Sequence, residues 1–209
     1  MNTYPDDIYA EPPSIDGHTL RNLGPLAPLA GRWRGKKGVA VSPSAGGPRT
    51  QAFEEIIELV PLDPQTNGPQ LLYGLRYHRH VMKPGERVTY RDQIGYWLWE
   101  PATGAIMQSR SIPRGQTLLA MGRTAADATH FELVATRGSV LNGIVSNPFL
   151  DEAFRTVEYR IAVTVNDDGS WTHDEDTVLQ LRGSREPFHH TDRSTLVRIG
   201  APQPNPLAR

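Results

Sequence analysis

The chain contains no cysteine. Disulfides, thiolate metal sites, Cys-ligated iron–sulfur clusters and cysteine nucleophiles are therefore excluded. It also lacks a surplus of either charge. Its 22 Lys and Arg against 23 Asp and Glu give a formal net charge of −1, which is not the footprint of a nucleic-acid or membrane-surface binder. No apolar run approaches the ~20 residues that span a bilayer. The first 13 residues are acidic and proline-bearing, where a secretory signal would be basic and then apolar. Ser109, Ser111 and Ser146 have no Gly-x-Ser-x-Gly context. The glycines between Gly31 and Gly38 have neither dinucleotide nor P-loop spacing, and no helix is expected after them. These absences fit a bacterial protein of the cytoplasm that neither inserts into a membrane nor binds nucleic acid.

What is abundant is punctuation. With 19 glycines and 18 prolines spread over 209 residues, the chain reads as many short strands joined by turns. Asp63-Pro64, Asn67-Gly68, Pro84-Gly85, Pro113-Arg114-Gly115 and Asp167-Asp168-Gly169 mark such turns. Between them lie about ten segments with β-compatible sequence, and no stretch alternates strand with helix. The fold expected is all-β: an antiparallel up-and-down barrel of about ten strands. Residues 1–18 read as an irregular arm, 19–200 as a single barrel domain and 201–209 as a tail. Thr19 is placed as the N-cap of a short helical piece that Gly24, Pro25 and Pro28 then end. Leu20, Leu23, Leu26 and Leu29 recur at threes, so this piece has an apolar side with which to close one end of the barrel. Residues 139–153 are the one long irregular stretch, with room for a short helix or a flap.

The first strand opens on Gly31-Arg32-Trp33-Arg34-Gly35. Trp33 brings a large apolar surface, and the flanking glycines free space around it. A Trp so placed is suited to plug a closed barrel end. Arg198, near the end of the last strand, is the basic side chain expected to lie across the indole.

Of seven histidines, His18 and His130 are expected at the surface. His173 stands in Thr-His-Asp-Glu-Asp, a run expected to be solvated. His78 and His80 share one face of a strand; a polar outer face is the simpler reading, and a shared metal completed by a ligand from elsewhere is the other. His189 and His190 are adjacent on the last strand and so point to opposite faces, one of them into the lumen. From the residues alone that inward imidazole is either a hydrogen-bonded core residue or an axial ligand to a haem iron.

Taken together, these residues resemble the nitrobindin family, haem-binding barrels structurally akin to fatty-acid-binding proteins and other calycins. Gly31, Trp33 and Gly35 match the family's Gly-x-Trp-x-Gly-x-Gly, with Lys37 in place of the third glycine and Gly38 one later. Pro113-Arg114-Gly115 resembles its Pro-x-Gly turn, and Gly95-Tyr96-Trp97 its Gly-Tyr-Trp run. The likeness covers roughly residues 25–199. It implies ferric haem b on a single histidine of a late strand, by position His190, or His189 if the register slips by one. It further implies nitric-oxide binding and, as an enzymatic activity, haem-dependent peroxynitrite isomerisation. Two other functions stay open from the residues: a non-haem barrel carrying an apolar molecule such as a fatty acid, lined by Leu71, Tyr73, Leu75 and Ile94, and a barrel with a filled interior that serves as an interaction module.

Overall fold

From Gly31 onward the chain is mostly strand, joined by short turns. The structure, a computed structural model, describes residues 4–209. Its strands are β1 (Gly31–Ser44), β2 (Gly47–Pro61), β3 (Gln65–Asn67), β4 (Gln70–Met82), β5 (Thr89–Glu100), β6 (Ala105–Ile112), β7 (Gln116–Arg123), β8 (His130–Thr136), β9 (Ile144–Ser146), β10 (Phe154–Val165), β11 (Trp171–Leu181) and β12 (Phe188–Gly200). Ten of them close into an antiparallel barrel, β1 pairing with β12 and β2 with β4, while β3 and β9 are short additions beside β4 and β7. The expected all-β barrel is the observed fold. No helix among the described residues is long and apolar enough to cross a membrane.

The closed end is built as its leucine spacing suggests. Helix α1 (Thr19–Asn22) passes into a 3-10 turn, Gly24–Leu29. A repeat of three is the period of a 3-10 helix, and Leu23, Leu26 and Leu29 are fully buried on one side of it. The prolines end the α-helix but are accommodated in the tighter turn. Thr19 is not the N-cap. That position is His18, with no side-chain cap, and Thr19 is buried instead, its hydroxyl donating to the Leu62 carbonyl and its N–H to Asn205 Oδ1 at 3.1 Å. The same Asn205 donates to Gly17 O at 2.6 Å and Asp63 Oδ1 at 2.8 Å, so the C-terminal segment pins the helical cap to the barrel.

Trp33 is fully buried. Its Nε1 donates to Leu29 O at 2.7 Å, and its ring meets Trp171 edge-on at 6.1 Å. The Arg198 guanidinium lies 4.1 Å from the indole centroid and donates to the carbonyls of Ala30 and Pro28. Gly35 works differently from expectation. A Cβ there would meet Ser194 Oγ at 2.4 Å and Glu55 at 3.1 Å, so the missing side chain makes room for polar groups of the lumen rather than for the indole.

Lys36 and Lys37 are both exposed, and the pairing of β1 slips by one residue between Gly35 and Gly38 against β2 and between Arg34 and Val39 against β12. This is a β-bulge, one residue added to one strand. Its effect is to bring Gly38 back to the inward face, where a Cβ would stand 2.3 Å from the Phe53 ring. The segment between Pro43 and Pro48 is the tip of a long β1–β2 hairpin. Its two prolines sit opposite each other, beyond the point where β12 stops pairing, so their missing N–H groups leave no gap in the barrel ladder. The irregular stretch holds β9 and a short helix, α2 (Pro148–Ala153), capped by Asn147, whose Oδ1 accepts from Leu150 N at 3.0 Å. Asn147 also donates to Arg114 O, which fixes α2 beside the open end of the barrel.

Candidate functional site

Strand β12 displays the layering of the whole interior. Its alternate residues His190, Asp192, Ser194, Leu196 and Arg198 face one way, and from the mouth inward they pass through an open cavity, a polar layer and the apolar plug. Strand β11 runs alongside with Leu179, Thr177, Glu175, His173 and Trp171 on the same face. The apolar end is the closed end, where Leu196 and Trp171 join Trp33, Trp97 and Trp99.

At the mouth is a cavity of about 640 Å³, within the roughly 300–1,000 Å³ typical of small-molecule and cofactor sites. Its apolar side is Ile112, Phe149, Leu150, Phe154 and Leu179, and its polar side includes Arg91, Arg110, Arg114 and Gln116. His190 is the only histidine among the lining residues. Its side chain is 20% exposed and its Nε2 lies 3.4 Å from Asp192 Oδ2. His189 points outward at 59% exposed and meets Asp176 Oδ2 at 2.7 Å. The turn Pro113–Gly115 and helix α2 form the rim opposite β12.

Below the cavity the lumen is ionic. Arg79 is held between Glu55 and Glu175, and Glu55 also meets His173 Nε2 at 2.9 Å. Arg110 reaches Glu175 at 3.4 Å and stacks over Tyr159 at 4.6 Å from its centroid. Arg91 grips Asp192, one contact being 2.8 Å. Burial pushes the Glu55 carboxyl up, but the Arg79 charge and then His173 outweigh it and hold it down at about 2. Burial likewise raises Asp192, and the His190 hydrogen bond with the Arg91 and Arg79 charges brings it below the ordinary range. Glu175 is lowered too, Arg79 and Arg110 overcoming its desolvation. Three arginines thus face three ionised carboxylates inside the barrel, and the layer is balanced.

Two expectations are corrected here. His173 is not solvated: it is 1% exposed, at the centre of the ionic layer. In its acidic run Asp174 and Asp176 face out, while His173 and Glu175 face in on the parity of Trp171. None of Leu71, Tyr73, Leu75 and Ile94 lines the mouth cavity. Tyr73 and Leu75 belong to the packed closed end, with Leu71 against it, and Ile94 is 52% exposed on the outer wall. The residues missed from sequence are Glu55, Arg79 and Arg110. For Glu55 and Arg79 the signal was present, since Phe53-x-Glu55-x-Ile57 and Tyr77-x-Arg79-x-Val81 put each charge in step with buried apolar neighbours. His78 and His80 lie on the outer wall, beside Asp92.

A family model described as the THAP4-like haem-binding β-barrel domain matches residues 22–198. Among solved structures, the crystal structure of Rv2717c from M. tuberculosis is similar with a TM-score of 0.60 at 18% identity, covering 86% of this chain and 96% of that one. At that identity the likeness concerns the fold. No curated protein matches the chain.

Proposed function

Because the chain belongs to the THAP4-like haem-binding β-barrel family, we propose that it binds ferric haem b in the mouth cavity, with His190 as the protein ligand to iron. The observation that carries this reading is the single imidazole in the wall of the cavity. The residues present suit the group. His190 is accessible from the cavity, Asp192 stands beside one ring nitrogen, and the other, Nδ1, has no hydrogen bond among the described residues. A carboxylate next to a ligating imidazole fixes its tautomer and raises its basicity. The apolar side of the cavity suits a flat hydrophobic body, and Arg110 and Arg114 suit its carboxylates.

Haem held there by His190 would supply an iron able to take a small ligand such as nitric oxide or peroxynitrite, and isomerisation of the latter is the activity we propose. The chain's own part is to bind and shield. The Arg91–Asp192 pair holds the partner of His190 in place. Phe149 and Leu150 of α2 supply apolar surface at the rim of the cavity. The ionic layer works against the fatty-acid alternative, because an acyl chain long enough to need a barrel would press on buried charges. The cysteine-free sequence suits the reducing cytoplasm as the place of action.

The experiment is a haemin titration of the wild type, His190→Ala and His189→Ala, followed by the Soret band after desalting. A defined band in the wild type and His189→Ala, lost in His190→Ala, is the expected result. Loss only in His189→Ala would move the ligand to the outer wall and reject the cavity. No retained band in the wild type would reject haem.

A further inference from the structure

On the outer wall, His78 and His80 of β4 converge on Asp92 of β5, a residue that also borders the mouth cavity. The two histidines lie outside that cavity, and the haem reading gives none of the three a role. His78 Nε2 lies 3.0 Å from Asp92 Oδ2, and His80 Nδ1 lies 3.2 Å from the same oxygen. The imidazole rings are 3.9 Å apart. All three side chains are partly exposed, at 43%, 41% and 32%. We propose that His78, His80 and Asp92 form a binding site for a divalent transition metal of the Zn²⁺ type.

The backbone explains why they meet. His78 and His80 are two apart on a strand and so share a face, and Asp92 is the direct antiparallel partner of His80. The His78 and His80 positions are thus held by the barrel ladder rather than by a loop. Three donor atoms, one from each residue, lie within 4.8 Å of one another. In a tetrahedral zinc site with bonds of about 2.0–2.1 Å, neighbouring donors are about 3.4 Å apart. The two imidazole–carboxylate separations are already within a few tenths of an ångström of that edge, so little movement separates this arrangement from a coordination shell.

The donor set selects the class of ion. Two imidazole nitrogens and one carboxylate suit zinc and its transition-metal neighbours, whereas Mg²⁺ and Ca²⁺ take oxygen. Three protein ligands leave a fourth position to water, the pattern of an open rather than a structural site. A groove of about 380 Å³, lined by Glu58, Arg76, His78, Tyr96 and Ser109 among others, adjoins it. Glu58 is the cross-strand partner of His78.

The test is calorimetric titration of the full chain, stripped with chelator and free of haem, with Zn²⁺ alone. Co²⁺ serves as an optical probe of tetrahedral geometry. One equivalent should bind to the wild type and to His190→Ala alike. His78→Ala, His80→Ala and Asp92→Asn should each weaken binding by about 100-fold or more, since loss of a group that only orients a metal ligand costs roughly 10–100-fold. His130→Ala, another histidine of the outer surface, should change nothing. Circular dichroism of each variant shows that a loss is not unfolding. Wild-type binding that survives both histidine substitutions, or no binding at all, would overturn the proposal. So would loss in His190→Ala with the other variants intact.

Discussion

Trp33 is covered from three sides by different parts of the chain: the 3-10 turn through Leu29, β11 through Trp171 and β12 through Arg198. Trp33→Ala would remove the indole and leave a cavity that these elements cannot all move to fill. It should cost about 3–5 kcal/mol in urea unfolding, and a change below about 1 kcal/mol would show the plug to be dispensable. This role was legible because a Trp between glycines at the start of a strand is a local pattern. Strand parity required one of His189 and His190 to face the lumen, and the structure turns His190 inward and His189 outward. His173 was not legible for a physical reason. Aspartates at 174 and 176 gave its run the composition of a solvated loop, while alternation sent the histidine inward to pair with Glu55, which is 118 residues away in sequence. Composition reports an average over both faces of a strand, whereas burial belongs to one.

At the scale of elements, β1 carries the clearest departure from its family pattern, and the bulge accounts for it. Around Lys36 and Lys37 the strand gains one residue relative to both β2 and β12. Lys36 and Lys37 both turn to solvent, so the third glycine of the motif keeps its inward place one position late. Deleting Lys37 would restore Gly-x-Trp-x-Gly-x-Gly in the chain and remove this bulge against both neighbours, with Gly38 still against Phe53. Deleting Gly38 would regularise the pairing equally but would turn Lys37 inward at a point with no room for a Cβ. The Lys37 deletion should therefore shift stability by less than about 1 kcal/mol. The Gly38 deletion should cost several-fold more, because it combines overpacking with a buried unpaired amine. Thermal melts of the two deletions decide it, and equal losses would show that the bulge does not set the face. The turns and strand order were readable because Gly and Pro mark them locally. The bulge was not, because it exists only in the pairing of β1 with strands elsewhere.

For the whole molecule the ionic layer is the unusual feature, a set of charges enclosed by ten strands where a small barrel would ordinarily be apolar. It makes folding depend on pH in a definite direction. Glu55 has an ordinary value of 4.5 and is held at about 2 in the fold, where burial opposes the shift and Arg79, then His173, impose it. A carboxylate depressed on folding stabilises the native state in full above its unfolded value, and that contribution is lost as pH falls through the folded one. A shift from 4.5 to about 2 corresponds to about 3 kcal/mol, of which about 2 kcal/mol is gone by pH 3. Glu175 and Asp192 shift in the same direction and share arginines with Glu55, so the three should titrate as a network rather than add. Urea unfolding at pH 7, 4.5 and 3 should therefore show a plateau and then a steep fall. In Glu55→Gln, stability at pH 7 should drop by about 3–5 kcal/mol, because Arg79 and His173 lose a buried partner, and the fall between pH 4.5 and 3 should become shallower. Equal slopes in the two proteins would place the acid sensitivity outside the lumen. The site at the mouth rests on this layer, since Arg79 adds to the hold on Asp192 and Asp192 stands beside His190. Acid that protonates the layer should therefore loosen His190 before the barrel opens, and haem retention, followed by the Soret band on lowering pH, should be lost above the pH at which far-ultraviolet dichroism reports loss of the strands.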